Sequence, residues 1–395
     1  MTNFIFISPN FPANYWHFCR ELKDNGVNVL GIGDAPYYDL TEDQRNSLTE
    51  YFKVQTLESF DQVYRAVAYF AFRYGKIDGL ESNNEYWLEQ DAKLREEFNI
   101  PGLKPSDMKR LRYKSGMKEY YARAGIPAAR FHMADSKEGC LEFIKQTGWP
   151  VIVKPDNGVG ASHTYRLESE KDLDAFLDEG LSGSYIMEEF VKARVESYDA
   201  IIGPDGEPMF ETGNVTPDSL MDVVNNSENS MFYIRAHIPD DIRAAGRAAL
   251  KAFEVKDRFV HFEFFRLTED QYLGKKGQVV GLEVNLRPSG GVSPDMMNYA
   301  NGTDVYKIWA DMEAFGKTQK PCADSLFCVF ASRRSGRDFA LSAPEVRAKY
   351  EGSIRQEGPV PQALSGAMAD YMFIACFPTE DEVWAFAGDV FREKN

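Results

Sequence analysis

The sequence predicts an α/β unit followed by α+β units in one chain of 395 residues. Three observations carry this. The first hundred residues alternate short apolar runs with amphipathic stretches, the rhythm of a parallel, doubly wound sheet with helices on both faces. A connector, Pro101 to Pro105, then leads into a compact unit of mixed short strands and helices. Beyond residue 191 long apolar strands carry isolated carboxylates, with the turn Gly203-Pro204-Asp205-Gly206 between two of them. The domains expected are 1–105, a parallel α/β domain; 106–190, a compact α+β unit; and 191–395, a C-terminal α+β domain.

Taken in order, residues 4–7, 27–31 and 77–80 read as strands, because each is a short apolar run bounded by polar or turn residues. Residues 13–24, 57–73 and 85–97 read as the helices between and after them, the first stopped by Asn25-Gly26. Ligands gather at the carboxyl ends of such strands, where Ser8-Pro9-Asn10 and Glu81-Ser82-Asn83-Asn84-Glu85 fall. No Gly-x-Gly-x-x-Gly follows the first strand, which sets a dinucleotide-binding reading aside. A helix over 106–124 ends at Gly125, with Pro127 barring its continuation. Strands at 129–133, 151–154, 164–167 and 185–189 alternate with helices at 136–147 and 170–179. Strands at 198–202 and 208–211 follow, then a helix at 240–253 opened by Pro239 and Asp240. Two long strands, 260–267 and 279–285, are joined by polar residues 268–278, and past Val305 the pattern weakens to mixed helices and strands.

Composition narrows the function. Forty-five Lys and Arg against 61 Asp and Glu give a net charge of −16, which repels nucleic acid and anionic membranes. Five cysteines (Cys19, Cys140, Cys322, Cys328, Cys376) are scattered and form no C-x-x-C pair, favouring a reducing compartment over a disulfide scaffold or zinc ribbon. No basic leader with an apolar run opens the chain, and no window approaches the roughly 20 apolar residues of a membrane span. A cytoplasmic protein is expected.

Four segments bear chemistry. Lys154 ends an apolar strand, and Gly158, Gly160 and Ser162 follow in a loop whose backbone N–H groups can turn onto phosphate oxygens. A glycine-rich surface turn is the plain alternative. Glu188, Glu189, Phe190 and Val191 form a strand end that becomes a connector able to present backbone groups to an adenine edge, with Glu196 in reach of a ribose. Solvated acids leaving a core would look the same. Glu263 sits among apolar residues on one long strand, and Glu283 and Asn285 on the next. They share a face if the strands pair in register, since side chains alternate. Two carboxylates opposed in apolar surroundings need a cation between them, and hard oxygen ligands suit Mg²⁺. An outward polar face on a hairpin is the alternative. Arg287 can hold a carboxylate or a developing acyl phosphate, and Gly290 and Gly291 can offer N–H groups to an oxyanion. Here the alternative is a surface salt bridge followed by a loop. Glu85 is a candidate for an ammonium group, or else a helix cap. Arg333 and Arg334 either contact a substrate anion or sit on a solvated turn, and the five histidines show no triad-like or metal-binding grouping.

In this order the segments resemble the ATP-grasp superfamily, in particular the branch of biotin carboxylase, carbamoyl-phosphate synthetase and amino-acid ligases, over about Asn3 to Asp304. The resemblance implies an N-terminal parallel-sheet domain, a small lid and a C-terminal antiparallel-sheet domain, with ATP between the last two. It implies that Lys114 is the first nucleotide lysine, on a helix, and Lys154 the lysine of the α- and β-phosphates. Gly158, Gly160 and Ser162 would be the phosphate flap, Glu188 to Val191 the adenine hinge and Glu196 the ribose acid. Glu263, Glu283 and Asn285 would hold Mg²⁺, for which Mn²⁺ can substitute, and Arg287 would hold the acyl phosphate. The implied reaction joins a carboxylate to an amine through an acyl phosphate, releasing ADP and phosphate. A bicarbonate-activating enzyme and a non-catalytic ATP-binding module are the alternatives. The partners expected are small-molecule carboxylates and amines, with no nucleic acid and no membrane, and a homodimer.

Overall fold

In the computed structural model the chain is described over residues 2–158, 163–179, 183–217, 228–319, 322 and 325–394. Gly160 and Ser162 lie outside those residues.

Four strands, β1 (Asn3–Ile7), β2 (Asn28–Gly33), β3 (Glu50–Lys53) and β4 (Gly79–Glu81), build a parallel sheet in the order β3-β2-β1-β4. Strand β1 is buried along its whole length, because helices cover both faces and no side of it needs to be polar. Residues 50–53 were not expected as a strand. Their sequence Glu-Tyr-Phe-Lys is half polar because β3 is the sheet's edge and only partly buried.

A four-stranded antiparallel sheet follows, from β5 (Phe131–Met133), β6 (Val151–Pro155), β7 (Tyr165–Leu167) and β8 (Tyr185–Glu189), in the order β5-β8-β6-β7. The helix Lys137–Thr147, capped by the Ser136 hydroxyl, packs Cys140, Phe143 and Ile144 against Val151, Val153 and Met187 of this lid sheet. The third sheet has nine strands among the described residues. They are β9 (Ala193–Ile202), β10 (Pro208–Thr212), β11 (Asn214–Thr216), β12 (Ser230–Ile234), β13 (Arg258–Leu267), β14 (Val279–Asn285), β15 (Phe327–Arg333), β16 (Ile354–Pro359) and β17 (Tyr371–Phe377). The main order is β14-β13-β9-β11-β12-β15-β17-β16, with β10 paired to β9.

The helix expected over 106–124 is two helices, Met108–Leu111 and Lys114–Arg123, broken at Arg112 and Tyr113. The two pieces touch closely: a Cβ on Gly116 would lie 2.0 Å from the Lys109 carbonyl oxygen, so only glycine fits. The break makes Lys114 the first residue of its helix and ties it to the lid, since its N–H donates to the Asp156 carbonyl (2.8 Å).

One core joins the parallel sheet to the large one. Trp309, on the helix Val305–Phe315, meets Phe4, Phe6 and Phe18 edge-on at centroid distances of 5.8, 6.1 and 5.0 Å. Burial of four such rings supplies several kcal/mol on general grounds, at roughly 25 cal/mol per Å². The other face of the large sheet is covered by the amphipathic helix Asp240–Ala252 and by Lys114–Arg123. Among the described residues no helix is long and apolar enough to cross a membrane.

Candidate functional site

The two long strands pair so that Glu263 stands directly opposite Glu283, and His261 opposite Asn285. A bulge makes this possible. The partner of Glu263 is Glu283, but the partner of Phe264 is Gly281, leaving Leu282 as the extra residue on β14. Gly281 therefore faces away from Glu283, against the Tyr121 ring, whose atoms would sit 2.6 Å from an added Cβ. On the other side β13 runs in unbroken register with β9, placing Ser197 beside Glu263 and Asp199 beside His261.

Charges converge on this face. Lys114 Nζ lies 3.0 Å from Glu283 Oε1 and donates to the Gly158 carbonyl at 3.0 Å. Lys154 Nζ lies 2.6 Å from Glu188 Oε2, and Lys118 holds the other oxygen of the same carboxylate. Burial opposes ionisation of Glu188, but the two ammonium groups win and hold its carboxyl down at about 2. Burial also opposes the charge on Lys154; Glu188, with Glu283 and Glu263 beyond it, nevertheless raises that ammonium's affinity for its proton. Lys118, equally buried, is pulled below its ordinary value by desolvation. Lys118 was not singled out from the sequence. Its spacing of four from Lys114 on one helix was the available signal.

His261 was also without a role in the sequence reading. Its Nδ1 lies 2.7 Å from Asp199 Oδ1 and its Nε2 3.7 Å from Glu263 Oε1. Burial disfavours the imidazolium, but Asp199 and then Glu263 outweigh it and lift the ring to about 9. The Ser197 hydroxyl bonds Asp199 rather than the ring, so the group orients Glu263 and is not a nucleophilic triad.

Arg287 leaves β14 and turns toward the carboxyl end of the parallel sheet, where its Nε lies 3.9 Å from Glu85 Oε2. Glu85 is buried and already held by Arg112 at 2.9 Å. It is therefore the partner of two guanidiniums, and the helical turn it opens is capped by Asn84, whose side chain accepts from Tyr86 N–H (3.0 Å). Gly291 has φ +64°, a conformation that strains any other residue, and an added Cβ would lie 2.9 Å from the end of the Met368 side chain; Gly290 stands in open space, its carbonyl accepting from the Ser293 hydroxyl at 2.7 Å.

The hinge residues separate. Glu188 points to the lysines, whereas Glu189 turns to the opposite face, with Arg130 Nε 3.0 Å from its Oε2. Phe190 lies under Arg166 at 4.6 Å, and Val191 is buried. The structure does not bring Glu196 to the group. Its strand partner is Phe264, one residue past Glu263, so its side chain lies on the other face of the sheet. There Arg194, Arg266 and Arg235 surround it at 2.7, 2.9 and 3.3 Å. Arg334, expected on a solvated turn or at a substrate anion, donates instead to the Ser365 and Gly366 carbonyls at 2.6 and 3.1 Å. Arg333 is buried, its Nε 2.7 Å from the Val390 carbonyl.

Hard oxygen donors facing one another, now balanced by Lys114 and His261, fit a divalent cation carrying anionic ligands of its own. Among the described residues no group of three or more His, Cys, Asp or Glu side chains is placed to hold a metal ion by itself. Two carboxylates and an amide make a partial shell, which suits a metal shared with phosphates.

Three folded layers of this order, a parallel sheet, a small antiparallel lid and a large antiparallel sheet, recur in solved structures. An L-amino acid ligase from Bacillus licheniformis superposes with a TM-score of 0.74 at 16% identity, covering 99% of this chain and 97% of that one. The fold is the ATP-grasp fold. A second ATP-grasp structure, the biotin carboxylase domain dimer of the Hydrogenobacter thermophilus 2-oxoglutarate carboxylase with MgADP, ADP and bicarbonate, superposes with a TM-score of 0.68 at 14% identity, covering 98% of this chain and 88% of that one. In sequence, the C-terminal section of the carbamoyl phosphate synthase large chain of Aquifex aeolicus (strain VF5) is 25% identical over 240 residues, 58% of this chain and 41% of that protein. The chain thus spans less than half the length of that curated relative. No family model matches. The resemblance read from the sequence is borne out at the level of the fold.

Proposed function

We propose that this protein is an ATP- and Mg²⁺-dependent carboxylate–amine ligase that forms an amide bond and releases ADP and phosphate. The observation that carries the reading is the opposed pair Glu263 and Glu283 with Lys114, Lys118 and Lys154 at one edge and Arg287 at the other. Glu263, Glu283 and Asn285 would hold the metal, which when bound neutralises charge on the triphosphate. Lys154 and Lys118 would release Glu188 in part to take phosphate oxygens, an exchange of one anionic partner for another. His261, held by Asp199, keeps the Glu263 carboxylate oriented.

In the reaction so read, a substrate carboxylate oxygen attacks the γ-phosphorus, and the bond to the ADP oxygen breaks. The product is an acyl phosphate. An amine then attacks the acyl carbon, phosphate leaves, and the amine loses a proton. Arg287 brings a carboxylate close to the polyanion by cancelling its charge, and the Glu85–Arg112 pair braces that guanidinium. Glu85, as the partner of two arginines, is assigned to this bracing role rather than to the amine. Small-molecule acids and amines, amino acids foremost, are the substrates this site suits.

The test is phosphate release from ATP and Mg²⁺ over a panel of amino acids, with mass spectrometry of the products. Release requiring both a carboxylate and an amine, with a product lighter than the pair by one water, is expected. Release with bicarbonate alone would move the protein to the bicarbonate-activating reading, and ATP binding without release to a non-catalytic one.

A further inference from the structure

Cys328 on β15 and Cys376 on β17 are direct partners across an antiparallel pair, and both are buried free thiols. Their spacing follows from the hydrogen bonds. The Cys376 N–H donates to the Ser353 carbonyl at 2.9 Å, on the β16 side. Toward β15, then, Cys328 and Cys376 form a non-hydrogen-bonded pair, the closer kind, with Cα atoms about 4.5 Å apart. That separation lies inside the window a disulfide spans.

Cys376 keeps 4% of its surface exposed and lies on the strand next to the edge of the sheet. Strand β16 is the last of the sheet, and it bulges at Arg355, the extra residue between the partners of Ala375 and Ile374. The Cys328 thiol, and after it the guanidinium of the exposed Arg355, favours the thiolate of Cys376, lowering its affinity for a proton against the effect of burial. Cys328, fully buried, is held protonated by desolvation. One sulfur is thus prepared as nucleophile and the other as the reserve thiol beside it.

We propose that Cys328 and Cys376 are a redox modification site, a dithiol that closes to a disulfide by exchange with a small anionic disulfide such as oxidised glutathione. The Cys376 thiolate attacks one sulfur of the incoming disulfide, forming a mixed disulfide and expelling one thiolate. Cys328 then loses its proton and attacks the Cys376 sulfur, expelling the second. The protein loses two electrons and two protons, and the small disulfide becomes two thiols. Arg355 gives an anionic disulfide a landing point. The pair also lies next to Tyr299 of the helix Ser293–Asn301, the helix that follows Gly290 and Gly291.

The experiment incubates the folded full chain with oxidised glutathione, alkylates free thiols after denaturation, and maps the peptides. The expected result is a cross-linked 328–376 peptide pair, reversed by dithiothreitol. Cys328→Ser should instead accumulate one glutathionyl group on Cys376, because the resolving thiol is gone. Arg355→Gln should slow closure severalfold, because it removes a cation that favours the Cys376 thiolate. Recovery of both cysteines alkylated in the wild type, or a stable adduct on wild-type Cys376, would overturn the proposal. Failure of Cys328→Ser to fold would leave the wild-type map and the Arg355→Gln rate to decide.

Discussion

Two of the charge clusters among the described residues are built differently. Glu81, at the end of β4, is saturated: Arg95 and Arg258 each approach to 2.8 Å, and the Ser82 and Asn83 N–H groups donate to its other oxygen at 3.0 and 3.1 Å. Because Arg258 belongs to β13, this cluster bolts the parallel sheet to the large sheet. The Glu263–Glu283 cluster is unfinished by comparison. Its carboxylates keep 27% and 21% of their side-chain surface exposed, and their cations, Lys114 and His261, each touch a single oxygen. A closed network reports architecture; an open one reports a place where a ligand completes the charge balance.

The largest effect expected is at the open cluster. Glu283→Gln should lower kcat/KM for ATP-dependent phosphate release by roughly a hundredfold or more, the scale of losing one electrostatic stabiliser, with little change in Tm. A Tm loss comparable to that of a buried ion pair would place the cluster with the architecture instead. Glu81→Gln should do the reverse. It strands two buried guanidiniums and should cost roughly 3–5 kcal/mol in denaturant unfolding, while the KM for ATP in the folded fraction holds.

A smaller effect concerns pH. Asp91, buried beside Glu81 and bonded by the Ser82 hydroxyl at 2.6 Å, is raised from 3.8 to about 7, chiefly by desolvation and then by the Glu81 charge. A carboxyl whose folded value is raised stabilises the fold below its unfolded value, and that contribution is lost as pH rises through about 7. Asp91→Asn should therefore flatten the decline in Tm over that interval, and an unchanged slope would remove Asp91 from the cluster's account. The smallest effect is expected at Glu196. Glu196→Gln should change the KM for ATP by less than about twofold, since the carboxylate is held on the far face by three arginines. A KM rise of roughly tenfold would return it to the nucleotide.

How much of this was legible beforehand varies with the range of the interaction. The Lys154 strand end, the Glu188 position and the alternation Glu283-x-Asn285-x-Arg287 are local patterns, and each lies where its neighbours in sequence put it. The helix break before Lys114 had only a weak local signal, Ser115-Gly116, and the close packing of Gly116 on the Lys109 carbonyl is a contact that only the fold reveals. Past Val305 the strands β15 and β17 are buried on both faces, so alternation disappears and with it the signal.

By itself the sequence determined which side chains are available and their order: lysine, glycine loop, acidic strand end, then two acidic strands and an arginine. Alternation with period two is a property of the backbone, and it needs no partner. Tertiary structure alone decided which face meets which. One inserted residue at Leu282 turns Glu283 toward Glu263 and Gly281 toward Tyr121, and the register with β9 sends Glu196 the other way. It decided as well that Glu85 meets Arg112 at 2.9 Å and lies 3.9 Å from Arg287. The reason is physical: a charge is paired by whatever lies within a few ångströms, and in a folded chain those neighbours come from strands far apart in sequence.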